Sequence, residues 1–181
     1  MKGAVARHWP TNVVFDQIDL SGIVHADLTA LLDADTASPQ VLEVIEAKQV
    51  LADEDALRAH LLASMRALAA ADGRPRPEAV NLEIQVWRGG YDLPPTASSS
   101  DYVAWCVLAA TGSTYTESGA VALADPRAGC ALVPMPGLPW GNPAMITAKA
   151  GAHMAAPGWL IHFVIPAEEA QSVIVAAASS V

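Results

Sequence analysis

The sequence predicts a mainly-β domain of the sandwich or jelly-roll type, with its helices gathered in an N-terminal layer. Three observations carry this expectation. The 181 residues are 52% apolar, the composition of a packed globule and not of a disordered chain. After Glu78 the apolar residues fall in many short runs separated by Gly, Pro and Ser clusters, the pattern of an all-β sandwich or barrel. Before Arg74 they recur instead at helical spacing.

Taken in order, Thr11 to Leu20 reads as a strand, with the β-formers Val13, Val14 and Phe15 and a turn at Ser21-Gly22. Ile23 to Leu32 reads as a helix. Ser38-Pro39 resembles a helix start, a capping Ser before a first-turn Pro, with Val41, Leu42, Val44 and Ile45 following. Asp53 opens a longer helix, in which Leu57, Leu61 and Met65 recur every fourth residue and Leu68 follows. Gly73 permits the left-handed cap that ends it. Arg74-Pro75-Arg76-Pro77 is then a loop within one domain, joining a strand and helical layer (1–77) to a jelly-roll core (78–181). In that core the expected strands are Val80 to Trp87, Tyr102 to Ala109, Ala120 to Ala124, Cys130 to Val133, Met145 to Ala148, Trp159 to Ile165 and Ser172 to Ala177. His153 sits on a further run of small residues.

Composition excludes some functions. A net charge of −9 repels phosphate backbones, so nucleic acid is not an expected partner. No apolar run reaches the ~20 residues of a membrane span. The first residues lack the apolar core of a signal peptide, so a cytoplasmic location is expected. Cys106 and Cys130 have no second ligand near them in sequence and read as buried, reduced thiols.

Four motifs then share an order. His8-Trp9-Pro10-Thr11-Asn12-Val13 is similar to "F-P-T-P-V", and Trp87-Arg88-Gly89-Gly90-Tyr91 to "x-G-G-Y". Glu117 to Arg127, with Ser118-Gly119 and Asp125-Pro126-Arg127, is similar to "S-G-x-L-x-F-x-D-P-R". Pro157 to Pro166 is similar to "F-P-x-W-L-x-H-x-V-x-P". Together they resemble the iron(II)/2-oxoglutarate-dependent oxygenases. That resemblance implies a double-stranded β-helix (jelly roll, cupin-like). It also implies an iron held by two histidines and one further ligand, with open positions for 2-oxoglutarate and oxygen.

The chain departs from the pattern where the chemistry sits. Alignment of the motifs puts Pro95 and Ala97 where the first two ligands belong. Only His162 matches a ligand. Gln171 stands where the family's arginine grips 2-oxoglutarate, and an amide cannot form that bidentate ionic pair. The resemblance therefore implies a degenerate member with no metal and no cofactor. A displaced metal site built from Asp92, Asp101, His153 and His162 is the open alternative.

The leading expectation is a small-molecule enzyme doing acid/base chemistry without metal: a cyclisation, isomerisation or elimination in specialised-metabolite biosynthesis. His162, Asp92 and Tyr115 are its candidate catalytic groups, the imidazole because it titrates near neutral pH. Trp87, Trp105, Gln171, His153 and Glu117 are candidate substrate contacts, and Trp159 is a core or pocket-wall residue. The alternatives are a genuine oxygenase with displaced ligands, or a non-catalytic subunit. The latter would form a homodimer or pair with an oxygenase paralogue through the apolar loop 134–143 and the segment 176–181.

Overall fold

The computed structural model describes residues 4–8, 11–33, 40–127 and 141–181. Their elements are β1 (Ala4–His8), β2 (Thr11–Gln17), α1 (Thr29–Leu32), β3 (Leu42–Ile45), a 3-10 turn (Ala47–Gln49), α2 (Glu54–Asp72), β4 (Val80–Trp87), β5 (Leu93–Thr96), β6 (Tyr102–Ala110), β7 (Val121–Leu123), β8 (Ala144–Ile146), β9 (Ala152–Pro157), β10 (His162–Val164) and β11 (Val173–Ser180).

The strands form two antiparallel sheets. A larger one has the order β1-β2-β9-β6-β11-β4-β3, and a smaller one the order β5-β10-β7-β8. Following the chain from β4 to β11, strands pass back and forth between the sheets, so β9-β6-β11-β4 faces β5-β10-β7-β8. This is a double-stranded β-helix, extended at one edge by β1 and β2 and at the other by β3.

The larger sheet is covered on both faces, which explains why β6 and β11 are almost wholly apolar. One face meets α2. Val80, Ile84 and Val86 of β4, Tyr102, Ala104, Cys106 and Leu108 of β6, and Ile174 and Ala176 of β11 pack with Leu57, Leu61, Met65 and Leu68 of the helix. The residues between them turn inward, where Trp87, Val103, Trp105, Val107, Val173 and Val175 meet Val121, Leu123 and Val164 of the smaller sheet. The period-2 geometry of a strand thus splits one sheet into a helix side and a barrel side.

The long helix follows its sequence signals. The Asp53 carboxylate accepts the Ala56 N–H at 2.9 Å, and Gly73 closes the end at φ 66°. Elsewhere the structure corrects the sequence reading. Leu42–Ile45, expected to be helical, forms the edge strand β3 beside β4. The spacing 41, 42, 44, 45 suits either state, and the β-branched Val44 and Ile45 favour the strand that β4 offers. Ser38 and Pro39, the expected cap, lie outside the described residues, as does the expected strand 130–133. Of the helix expected over Ile23–Leu32 only Thr29–Leu32 is helical. The Asp27 carboxylate accepts the Thr29 N–H at 2.9 Å, a local turn that competes with helix upstream. The last-histidine strand begins at His162, because Pro157–Leu160 forms a turn in which Gly158 lies against the Ser100 carbonyl. Trp159 is consequently 54% exposed and outside the core; it helps wall a small surface pocket of about 160 Å³ beside Asp72, Asp101 and Tyr102, away from the barrel mouth. The segment 176–181, expected to be a contact surface, lies largely in β11, paired on one side with β4 and on the other with β6.

Candidate ligand site at the barrel mouth

The inner face of β4 presents Glu83, Gln85 and Trp87 in succession, joined by hydrogen bonds. The Trp87 indole N–H donates to Gln85 Oε1 at 2.9 Å, and the Gln85 amide donates to Glu83 Oε1 at 2.5 Å. Tyr91 stacks on Trp87 with ring centres 5.1 Å apart. Across the mouth Trp105 of β6 leans on the His162 ring at 4.7 Å. These side chains, with Leu93, Ser98, Val103 and Ser179, line a cavity of about 460 Å³. That volume suits a small molecule.

His162 opens β10 and is 7% exposed. Its Nδ1 lies 3.2 Å from the Leu160 carbonyl oxygen. A carbonyl only accepts, so Nδ1 carries the proton and Nε2 keeps its lone pair. Among the described residues nothing bonds to Nε2. Burial pushes the imidazole below its ordinary pKa, against the smaller opposing effect of the Leu160 bond. The ring is therefore a neutral base at pH 7.

The other sequence candidates lie elsewhere. His153 of β9 faces α2. Its Nδ1 bonds the Trp105 carbonyl oxygen and its Nε2 the Ser64 hydroxyl, each at 2.9 Å. It fastens helix to sheet, and the expected substrate contact is not formed in the mouth. Asp92 is exposed and outside the cavity lining. Its charge assists burial in raising the Tyr91 phenol. Tyr115 donates to Glu117 at 2.9 Å, but Tyr115 is 55% exposed and neither residue lines the mouth. Their loop is held by Glu168, whose carboxylate accepts from the Thr114 and Tyr115 backbone N–H groups and the Thr114 hydroxyl. Gln171 is buried. It donates to the Ser118 carbonyl at 3.2 Å and accepts from the Ser118 hydroxyl, clamping the turn before β7.

The structure thus brings Trp87, Trp105 and His162 together and leaves Asp92, Tyr115, Glu117, Gln171 and His153 apart from them. It adds Glu83 and Gln85, which belong to no motif, and Tyr91, which closes the x-G-G-Y motif but was not among the candidate site residues. Alternation along β4 is the signal that finds the first two. With Val80, Ile84 and Val86 turned to the helix, Glu83, Gln85 and Trp87 must face the barrel.

Iron(II) and 2-oxoglutarate do not fit these residues. Among the described residues no group of three His, Cys, Asp or Glu side chains converges on one point. The residue paired with His162 on β5 is Thr96, flanked by Pro95 and Ala97. Of the displaced ligands considered, His153 is on the opposite face of the sheet, Asp101 lies 3.6 Å from Arg74 in an exposed ion pair, and Asp92 is exposed and outside the cavity lining. A larger groove, about 670 Å³, runs along α2, lined mainly by alanines and aliphatics. His60 on its lining is exposed, and His153 behind Ser64 has both nitrogens engaged, so the mouth, with its buried imidazole, is the better candidate site.

No protein-family model matches the chain, and no curated protein matches it in sequence. Solved structures similar to it are cupin and double-stranded β-helix proteins. One is an oxalate oxidase solved with the substrate analogue glycolate, at 12% identity and a TM-score of 0.41, covering 81% of this chain and 54% of that one. Another is a prolyl 4-hydroxylase from Pseudomonas putida, at 13% identity and a TM-score of 0.43, covering 66% of this chain and 62% of that one. An RmlC-like cupin from Desulfovibrio desulfuricans has 15% identity and a TM-score of 0.37, with 84% and 92% covered. The chain spans about half the length of the oxalate oxidase it matches. The fold assignment rests on the strand order above and not on these matches.

Proposed function

We propose that this chain is a small-molecule enzyme that transfers protons without a metal in the barrel mouth, with His162 as the base. The observation that carries this is the buried His162 Nε2, unbonded among the described residues, on the wall of a cavity of ligand size. In an isomerisation, Nε2 takes a proton from the substrate, whose electron pair shifts into an adjacent unsaturated bond. The imidazolium then returns the proton at the other end of that system. Atoms and charge balance, and no oxidant is consumed. A cyclisation or elimination would share the first step. Trp105 shields the ring from bulk water and so favours the neutral base.

The test is solvent exchange. Candidate small molecules incubated with protein in D2O are examined by mass spectrometry. We expect deuterium in the substrate with the wild type and none with His162→Ala. Exchange that persists in the variant removes His162 from the reaction. Elemental analysis after anaerobic incubation with iron(II) and 2-oxoglutarate checks the metal-free part, and stoichiometric iron would overturn it.

A second reading has one observation in its favour. Trp105 covers part of the His162 ring, as a non-catalytic binding subunit would allow. It predicts ligand binding in the mouth with no deuterium exchange in any bound compound.

A further inference from the structure

We infer that the barrel mouth recognises an organic cation, an amine or quaternary ammonium group on a compact apolar body. The inference rests on the reading of the mouth as the ligand site and names the class of molecule it takes. Among the described residues, Glu83 is the one carboxylate side chain that lines the cavity. The same lining holds Trp87, Tyr91 and Trp105. Aromatic faces carry negative charge density and attract cations, most strongly where water is excluded. Trp87 is 1%, Tyr91 7% and Trp105 6% exposed, so the walls are largely dry.

The Glu83 carboxylate is also aimed. One oxygen is tied through Gln85 to Trp87, and among the described residues Oε2 has no partner.

Nothing in the mouth would welcome an anion. No Lys or Arg lines it among the described residues, and the described cations are largely committed elsewhere. Arg58 bonds Glu54 and the Val80 carbonyl, and Arg66 the carbonyls of Pro77 and Glu78. Arg88 runs the other way, to the carbonyls of Leu31 and Leu32 and the Ser172 hydroxyl. Arg74 pairs with Asp101, Arg127 with Asp125 and Lys48 with Glu46. Where the oxygenase pattern carries an arginine for a dicarboxylate, this chain has Gln171 clamped to Ser118 and a mouth of the opposite sign.

Binding is measured by titration calorimetry on the full chain, with benzyltrimethylammonium as the cation. Its neutral isostere, neopentylbenzene, and 2-oxoglutarate serve as contrasts. We expect the cation to bind, its affinity to fall with added salt, and Glu83→Gln to weaken it about tenfold, the loss of one charge-assisted contact. Glu83 is exposed, and the Gln variant keeps an acceptor for Gln85, so the fold is retained. Circular dichroism confirms this before titration. Equal binding of the neutral isostere, unchanged affinity in Glu83→Gln, or tighter binding of 2-oxoglutarate would each overturn the inference. Cation binding without deuterium exchange in any amine would sink the catalytic reading alone. Exchange confined to carboxylates would sink the cation site alone.

Discussion

The two buried histidines, one on each side of the larger sheet, share a residue type, burial and a lowered pKa, yet differ in what they can do. His153 has both ring nitrogens bonded, to Trp105 and to Ser64, and joins α2 to β9. His162 has one nitrogen bonded, to Leu160, and the other, among the described residues, unbonded on a ring that lines the cavity. A satisfied imidazole contributes to holding the fold, whereas one left half-satisfied is available for chemistry. Burial alone does not mark a functional histidine; the count of its partners does.

The largest effect expected from breaking this contrast is on stability. His153→Ala should destabilise the fold by roughly 3 kcal/mol, from lost packing plus two stranded polar groups. His162→Ala should cost only about 1 kcal/mol while ending proton transfer. Urea denaturation of the two variants measures the difference, and equal losses would erase the distinction.

Acid should expose His153 next. Burial holds its folded pKa below the unfolded value, against the opposing effects of the Trp105 bond and Asp16. The unfolded state therefore binds the extra proton first. This stability is fully present above the unfolded value of about 6.5 and is lost as pH falls below it toward the folded value. Denaturant midpoints between about pH 7 and 5.5 should fall for the wild type and fall less steeply for His153→Gln, which keeps the share from His162. A parallel slope in the variant would assign the pH dependence to other groups.

The smallest effect concerns the helix side alone. Asp53→Ala removes the cap of α2 and should cost about 1 kcal/mol. The affinity of the mouth for benzyltrimethylammonium should not change, because α2 touches only the outer face. A matching loss of affinity would show that the two sides are coupled.

The barrel was legible in the sequence because strand alternation and the order of four motifs are local signals that survive substitution. The long helix was legible for the same reason, with Asp53 and Gly73 at its ends. The site was less legible. Motif position found His162, and bulk found Trp87 and Trp105. Glu83 and Gln85 carry no motif, and their importance comes from the inward face of β4, which only the packing of α2 fixes. Gln171 and His153 were singled out by type and neighbourhood, but their partners Ser118 and Ser64 are far away in sequence. The edge strand β3 was misread because four apolar residues at 41, 42, 44 and 45 satisfy both periods, and its pairing with β4 decides between them.

The place of β11 bears on how the molecule is made. It lies between β4 and β6, pairing along its length with both. During synthesis β4 and β6 emerge first, and the edges that will face β11 wait unpaired until residues 173–180 arrive. Such distant pairings slow folding. The nascent chain should thus be a substrate for chaperones and proteases until that strand inserts, and then become resistant in a single late step.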